Sequence, residues 1–223
     1  MNGSLQYSLW QVKGLLKVFF AVNFFICILS IFAQNSAFMM IYPLFMILLP
    51  LVSGGSRYTT GWRVYEDMLP STSEQVVSGV YVTALINTAS YILSTIIGNI
   101  TGCIVCRIAD GAFDLPGGDE VTILGGGFFK LMFMMMFLSL ICFGISCIVI
   151  YRYSGRTSKL LTATAAEYVV ITAVFVFLLA NESDNAAMLA VPTWLMVVSG
   201  VIAIPFFPLS YKFSEFFYDK YKD

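Results

Sequence analysis

Of the 223 residues, 59% are hydrophobic and only 11% charged, less than half of the roughly 25% charge usual in water-soluble domains. The net charge of −1 excludes the strongly basic surface that nucleic acid requires, and the lack of any histidine removes the commonest metal ligand and the side chain most used in general acid–base catalysis. Apolar runs near or above the roughly 18 to 20 residues that cross a bilayer recur along the chain, which predicts an all-α, polytopic membrane protein with no separate soluble domain.

The opening "MNGSLQYSLWQVKGLLK" lacks the charged start, short apolar run and small-residue cleavage site of a secretory signal, so the first span is expected to be retained. Within it Leu5, Leu9, Val12, Leu15 and Leu16 recur at helical spacing, which suits either an amphipathic helix along the membrane surface or the lead-in to the first span. Six spans are expected, over residues 16–33, 37–53, 76–108, 123–151, 160–180 and 189–209. The third is near 50 Å long at about 1.5 Å per residue, more than the roughly 30 Å of hydrocarbon requires, and should tilt, kink or protrude.

Lys and Arg in short loops set orientation. With the N-terminus inside, all of the 12 Lys and Arg residues except Arg107 and Lys130 fall on the cytoplasmic side, and the acidic loop of Asp110, Asp114, Asp119 and Glu120 falls outside. Both termini are therefore expected in the cytoplasm. Loops such as "NESDNAA" are too short to fold as an enzyme domain.

The five cysteines, Cys27, Cys103, Cys106, Cys142 and Cys147, lie inside apolar runs and read as packing residues; the pair Cys103-x-x-Cys106 has no second pair or histidine to complete a metal site. The cluster Met132, Met134, Met135 and Met136 is expected to meet lipid. Only Lys130 and Glu167 are ionisable well inside spans, on opposite sides of the midplane, too far apart to pair; Lys130 is expected to snorkel outward and Glu167 toward Arg156 and Lys159.

The third span divides into two faces. Asn87, Ser90, Tyr91, Ser94, Gly98, Thr101 and Gly102 gather on one side, and Leu85, Ile92, Leu93, Ile96, Ile100 and Ile104 on the other. Ser90, Ser94, Gly98 and Gly102 repeat every four residues, the small-residue pattern that lets helices approach closely in lipid. Two readings stand for this stripe: helix packing, or a translocation route between two copies of the chain.

Between the second and third spans lies a charged insert, "RVYEDMLPSTSEQ" (63–75). A short amphipathic helix is expected through Trp62, Tyr65 and Met68, with Arg63, Glu66 and Asp67 facing the cytoplasm; Pro70 disfavours helix at Leu69, and Ser71 or Ser73 is expected to cap the next helix, Ser71 with Glu74 as a capping box. The plain alternative is a solvated turn. Phosphate-loop spacing is missing from the nearest look-alike, "GGGFFKL" (125–131), and neither G-x-S-x-G nor H-E-x-x-H occurs, so the chain is not expected to hydrolyse ATP or act as an enzyme by itself.

A two-span hairpin, then Leu69, Pro70, Thr72, Val76 and Val77 in the frame L-P-x-[ST]-x-x-x-[IV]-V, then a long third span, resembles the small six-span permease subunits of bacterial type-2 ABC transporters. It departs in carrying Ser73 and Glu74 where the family often has basic residues. The resemblance implies that segment 57–75 is a cytoplasmic coupling helix on which a separate ABC ATPase docks through Arg63, Tyr65, Glu66, Asp67, Met68, Leu69 and Pro70. It also implies ATP and Mg bound by that partner with no cofactor on this chain, a second permease copy or homologue, and a place in the bacterial plasma membrane. Small members of this shape resemble exporters of amphipathic peptides such as bacteriocins or modulin-like toxins. An ion-coupled secondary transporter or channel, and a membrane scaffold, are the alternatives from other classes.

Overall fold

The computed structural model describes residues 3–32, 39, 41–59, 72–113, 126–153, 157–180 and 193–221. These form α1 (Gly3–Phe32), α2 (Ile41–Thr59), α3 (Ser73–Phe113), α4 (Gly126–Arg152), α5 (Thr157–Ala180) and α6 (Thr193–Tyr221), with no strand among the described residues. Four stretches are long and apolar enough to cross a bilayer: Lys13–Phe32, Ser73–Ala109, Gly127–Arg152 and Thr193–Lys220. In α2 the apolar part is the shorter Ile41–Leu51. The chain is thus an all-helical, multi-pass membrane protein, with four helices rather than the expected six meeting the requirement for a span among the described residues.

Helix lengths depart from expectation at both ends of the chain. The N-terminal segment is not a separate surface helix: α1 runs unbroken for 30 residues through the start of the first span. At the other end α6 continues 12 residues beyond the expected limit at Leu209, to Tyr221. Its added turns keep packing, with Ser210 and Ser214 fully buried and Tyr218 set edge-on to Tyr151 of α4 at 5.7 Å. Arg152 lies over the Phe217 ring at 5.7 Å. Hydropathy falls in this tail because charged residues alternate with aromatics, but the aromatic side still has a helix to pack on.

Contacts fix the directions of the helices. Asn23, Cys27 and Ile31 of α1 meet Ser94, Gly98 and Gly102 of α3 in that order, so α1 and α3 run parallel. Phe137, Gly144 and Tyr151 of α4 meet Gly200, Ser210 and Tyr218 of α6 in that order, so these also run parallel. The start of α3 and the last turns of α6 come together through Tyr81 and Ser210. Lys13, at the beginning of the α1 span, therefore shares one end of the bundle with the start of α3 and the end of α6.

The core between these helices is filled by Met46, Ile47, Leu49, Tyr91, Met132, Met134, Met135 and Phe143, all essentially inaccessible. Three of the four clustered methionines are thus core rather than lipid-facing. Unbranched thioethers adapt to the uneven gaps left between crossing helices. All five cysteines are buried and none is in a disulfide. On α3 the small and polar side is turned inward, whereas Leu85, Leu93 and Ile104 are about half exposed; Ile92 and Ile96 pack partly against the core.

Candidate functional site

The insert residues Arg63, Tyr65, Glu66, Asp67, Met68, Leu69 and Pro70 lie outside the described residues. The structure does describe where the insert delivers the chain. Thr72 is the last non-helical residue and Ser73 the first helical one, so Thr72, not Ser71 or Ser73, caps α3. Its carbonyl accepts the Gln75 and Val76 amides at 3.0 and 3.2 Å, and its hydroxyl lies 3.4 Å from the Gln75 amide. This satisfies amides that have no partner within the helix. Glu74, in the first turn, faces the positive end of the helix dipole.

Two turns further on, Tyr81 clasps α3 to α6. Its hydroxyl donates to Ser210 Oγ at 3.0 Å, and Ser210 in turn donates to the Phe207 carbonyl at 2.7 Å. With the phenolic proton used, Ser214 Oγ, 3.1 Å away, is the donor to Tyr81. The Tyr81 ring stands edge-on to Phe143, Phe207 and Tyr211 at 5.1 to 5.3 Å. Tyr211 also reaches the Glu74 carbonyl at 3.5 Å, so the first turn of α3 is held from α6.

Deeper along α3 the polar stripe is occupied by neighbours from the same chain. Asn23 of α1 donates through Nδ2 to Ser94 Oγ at 2.6 Å and Thr95 Oγ1 at 2.8 Å. A Cβ built on Gly98 would stand 2.8 Å from Cys27 Cβ, and one on Gly102 would stand 2.6 Å from Ile31 Cδ1, so both glycines mark close helix approach. Asn87 and Tyr91 turn to α2: Asn87 Nδ2 lies 2.9 Å from Met46 Sδ, Tyr42 donates to the Asn87 carbonyl at 3.3 Å, and the Tyr42 and Tyr91 rings stack at 3.8 Å. Ser90 is half-buried and opens on a groove shared with α1, lined by Lys13, Leu16, Lys17, Phe20 and Ile86.

The second polar feature is Glu167 on α5. It does not reach toward Arg156 and Lys159 as expected from sequence; it is buried, and Ser146 of α4 donates to its Oε2 at 2.8 Å. Its Oε1 is buried with no hydrogen-bond partner. The next residue, Tyr168, donates to the Leu44 carbonyl at 3.0 Å, so adjacent residues tie α5 to α4 and α2. Lys130 precedes Ser146 by sixteen positions of α4, about 24 Å of helix, and is not the partner of Glu167.

The polar contacts described above are joints between helices. Among the described residues no group of three or more His, Cys, Asp or Glu side chains is placed to hold a metal. Sequence reasoning did not single out Asn23, Tyr81, Ser210 or Ser214. Asn23 stands out in retrospect as the one amide within "VFFAVNFFICIL", and Ser210 and Ser214 as a four-residue repeat on one helix face. No family model matches the chain, and neither a curated protein nor a solved structure matches it.

Proposed function

We propose that the chain is the membrane-spanning permease subunit of an ATP-driven ABC exporter that moves amphipathic peptides or other hydrophobic compounds out of the cell. The observation that carries this reading is the start of α3. A helix of 41 residues, about 60 Å, begins within the last residues of the insert, capped by Thr72 and clasped to α6 through Tyr81 and Tyr211. A push delivered at the insert would pass into a stiff rod already joined to the rest of the bundle, whereas a hinged connection would absorb it.

In this reading the insert at 57–75 is the cytoplasmic coupling segment, with Arg63, Tyr65, Glu66, Asp67, Met68, Leu69 and Pro70 on the docking surface. The partner ATPase binds ATP and Mg, and its closure favours one arrangement of two permease chains over another, which requires contacts that differ between the two arrangements. Both termini lie in the cytoplasm of a bacterial cell, on the side of the insert. Asn87, Tyr91, Ser94, Gly98 and Gly102 serve helix packing, since their contacts are made within one chain; Ser90, at the groove, is the member of the stripe left for cargo or lipid. Co-purification tests the docking site: an ATPase recovered in stoichiometric amount with the wild-type chain and lost with Glu66→Ala/Asp67→Ala supports it, and retention with that variant counts against it.

A second reading, an ion-coupled transporter, is favoured by one observation, the partnerless Oε1 of buried Glu167. Buried carboxylates inside membrane bundles often serve ion or proton transfer. Transport driven by an imposed pH or sodium gradient, abolished by Glu167→Gln and indifferent to ATP, would favour it over the exporter.

A further inference from the structure

The groove between α1 and α3 has a composition that the exporter reading does not use. Lys13, Leu16, Lys17 and Phe20 form one stripe of α1, at spacings of three and four residues, and Ile86 and Ser90 form the facing stripe of α3; together they line a space of about 530 Å³, within the roughly 300–1,000 Å³ of small-molecule sites. At Gly98 and Gly102 the backbones of α1 and α3 nearly touch; nearer the start of α1 the groove lies between the two helices, with Leu16, Phe20 and Ile86 in its walls.

Charge is confined to the outer end of this groove. Lys13 begins the apolar stretch of α1, and both Lys13 and Lys17 are exposed. Neither has a carboxylate partner among the described residues. By the parallel register of α1 and α3, Leu16 and Ile86 stand level with the lysine pair, and Ser90 and Phe20 stand about one turn deeper. Two cations at the membrane surface beside the apolar Leu16 and Ile86, with a hydroxyl and the Phe20 ring about 6 Å further in, offer partners for the phosphate, the glycerol ester and the start of an acyl chain of a phospholipid.

We propose that this groove binds an anionic phospholipid of the surrounding leaflet. Its phosphate sits between the ammonium groups of Lys13 and Lys17, its glycerol region packs on Leu16 and Ile86, its ester sits near Ser90, and one acyl chain sets out over Phe20. Basic pockets between membrane helices suit such headgroups, and each lysine near the surface adds to the attraction. The lipid sits between α1 and α3 at the end of the bundle where α3 begins. This inference stands whether or not an ATPase partner exists.

The test is native mass spectrometry of the full-length chain released from micelles doped with phosphatidylglycerol or phosphatidylcholine. The wild type is expected to retain one phosphatidylglycerol in preference to phosphatidylcholine. Lys13→Gln/Lys17→Gln should lower that retention about ten- to thirty-fold, Lys13→Arg/Lys17→Arg should restore it, and Ile86→Trp, which fills the groove with both lysines intact, should lower it for either lipid. Circular dichroism and gel filtration confirm that each variant is folded. Equal retention of the two lipids by wild type, or unchanged retention in the Lys→Gln variant, would overturn the proposal. So would displacement of phosphatidylglycerol by millimolar inorganic phosphate, which marks a plain anion site, or by an acidic amphipathic peptide at equimolar concentration, which marks a cargo site.

Discussion

Asn23 gives both of its amide hydrogens across the α1–α3 contact, and Ser94 receives one of them at 2.6 Å while Thr95 receives the other at 2.8 Å. The joint lies in an apolar run where water does not compete, and Ser94 separately donates to the Tyr91 carbonyl at 3.0 Å. Asn23→Leu removes the donor but leaves Ser94 with its backbone bond. The expected loss is about 0.5–1.7 kcal/mol, the span measured for hydrogen bonds between membrane helices, read as an earlier midpoint in detergent unfolding. A midpoint equal to wild type would show that the joint contributes nothing net.

Glycines of α1 and α3 should respond in opposite ways. Gly98→Ala places a methyl 2.8 Å from Cys27 Cβ and 3.1 Å from the Phe24 carbonyl, and should cost about 1–3 kcal/mol by overpacking. Because the obstructing atom is Cβ, Cys27→Ala should not rescue it and Cys27→Gly should do so in part. Gly14→Ala meets open space and should stabilise by about 0.5–1 kcal/mol through helix propensity. The thermal midpoints of the purified variants decide between these signs.

Tyr81→Phe keeps the ring among Phe143, Phe207 and Tyr211 and removes only the hydroxyl bridging Ser210 and Ser214. Stability should fall by about 1 kcal/mol. If the start of α3 transmits work, transport should fall further than stability does, with ATPase binding unchanged. A fall in transport no larger than the fall in stability would contradict the role given to this clasp.

Ser146→Ala and Glu167→Gln separate two effects at the same site. Ser146→Ala removes the hydrogen bond to Glu167 Oε2 and should destabilise by about 1–3 kcal/mol, since a buried carboxylate oxygen is left unsatisfied. Glu167→Gln removes the buried charge and should be neutral or stabilising. Chemical unfolding of the two single variants and the double variant gives the coupling between them; independent effects would show that the bond is not maintained in the membrane.

How far the sequence disclosed the molecule depends on what each feature requires. Apolar runs located every helix, because backbone polar groups in lipid leave few alternatives, and the inward side of α3 followed from the spacing of Ser94, Gly98 and Gly102. The cap at Thr72 was ambiguous because Ser71, Thr72 and Ser73 offer the same hydroxyl chemistry, and only the backbone decides which precedes the helix. The last turns of α6 escaped notice because hydropathy records where lipid ends, not where packing on α4 ends. The environment of Glu167 depends on which side chain of α4 faces it, a tertiary fact with no local signature. Of the residues that carry the resemblance to type-2 ABC permeases, Leu69 and Pro70 fall outside the described residues, while Thr72 caps α3 and Val76 and Val77 lie in its first turns.

The most direct measurement is cargo uptake into inside-out proteoliposomes holding this chain and its co-purified ATPase, with a fluorescent amphipathic peptide as cargo. The account predicts uptake that requires MgATP, that stops when the phosphate-loop lysine of the ATPase is changed to Ala, and that is lost with Glu66→Ala/Asp67→Ala in this chain. Uptake by vesicles containing this chain alone, at the same rate with and without MgATP, would contradict it.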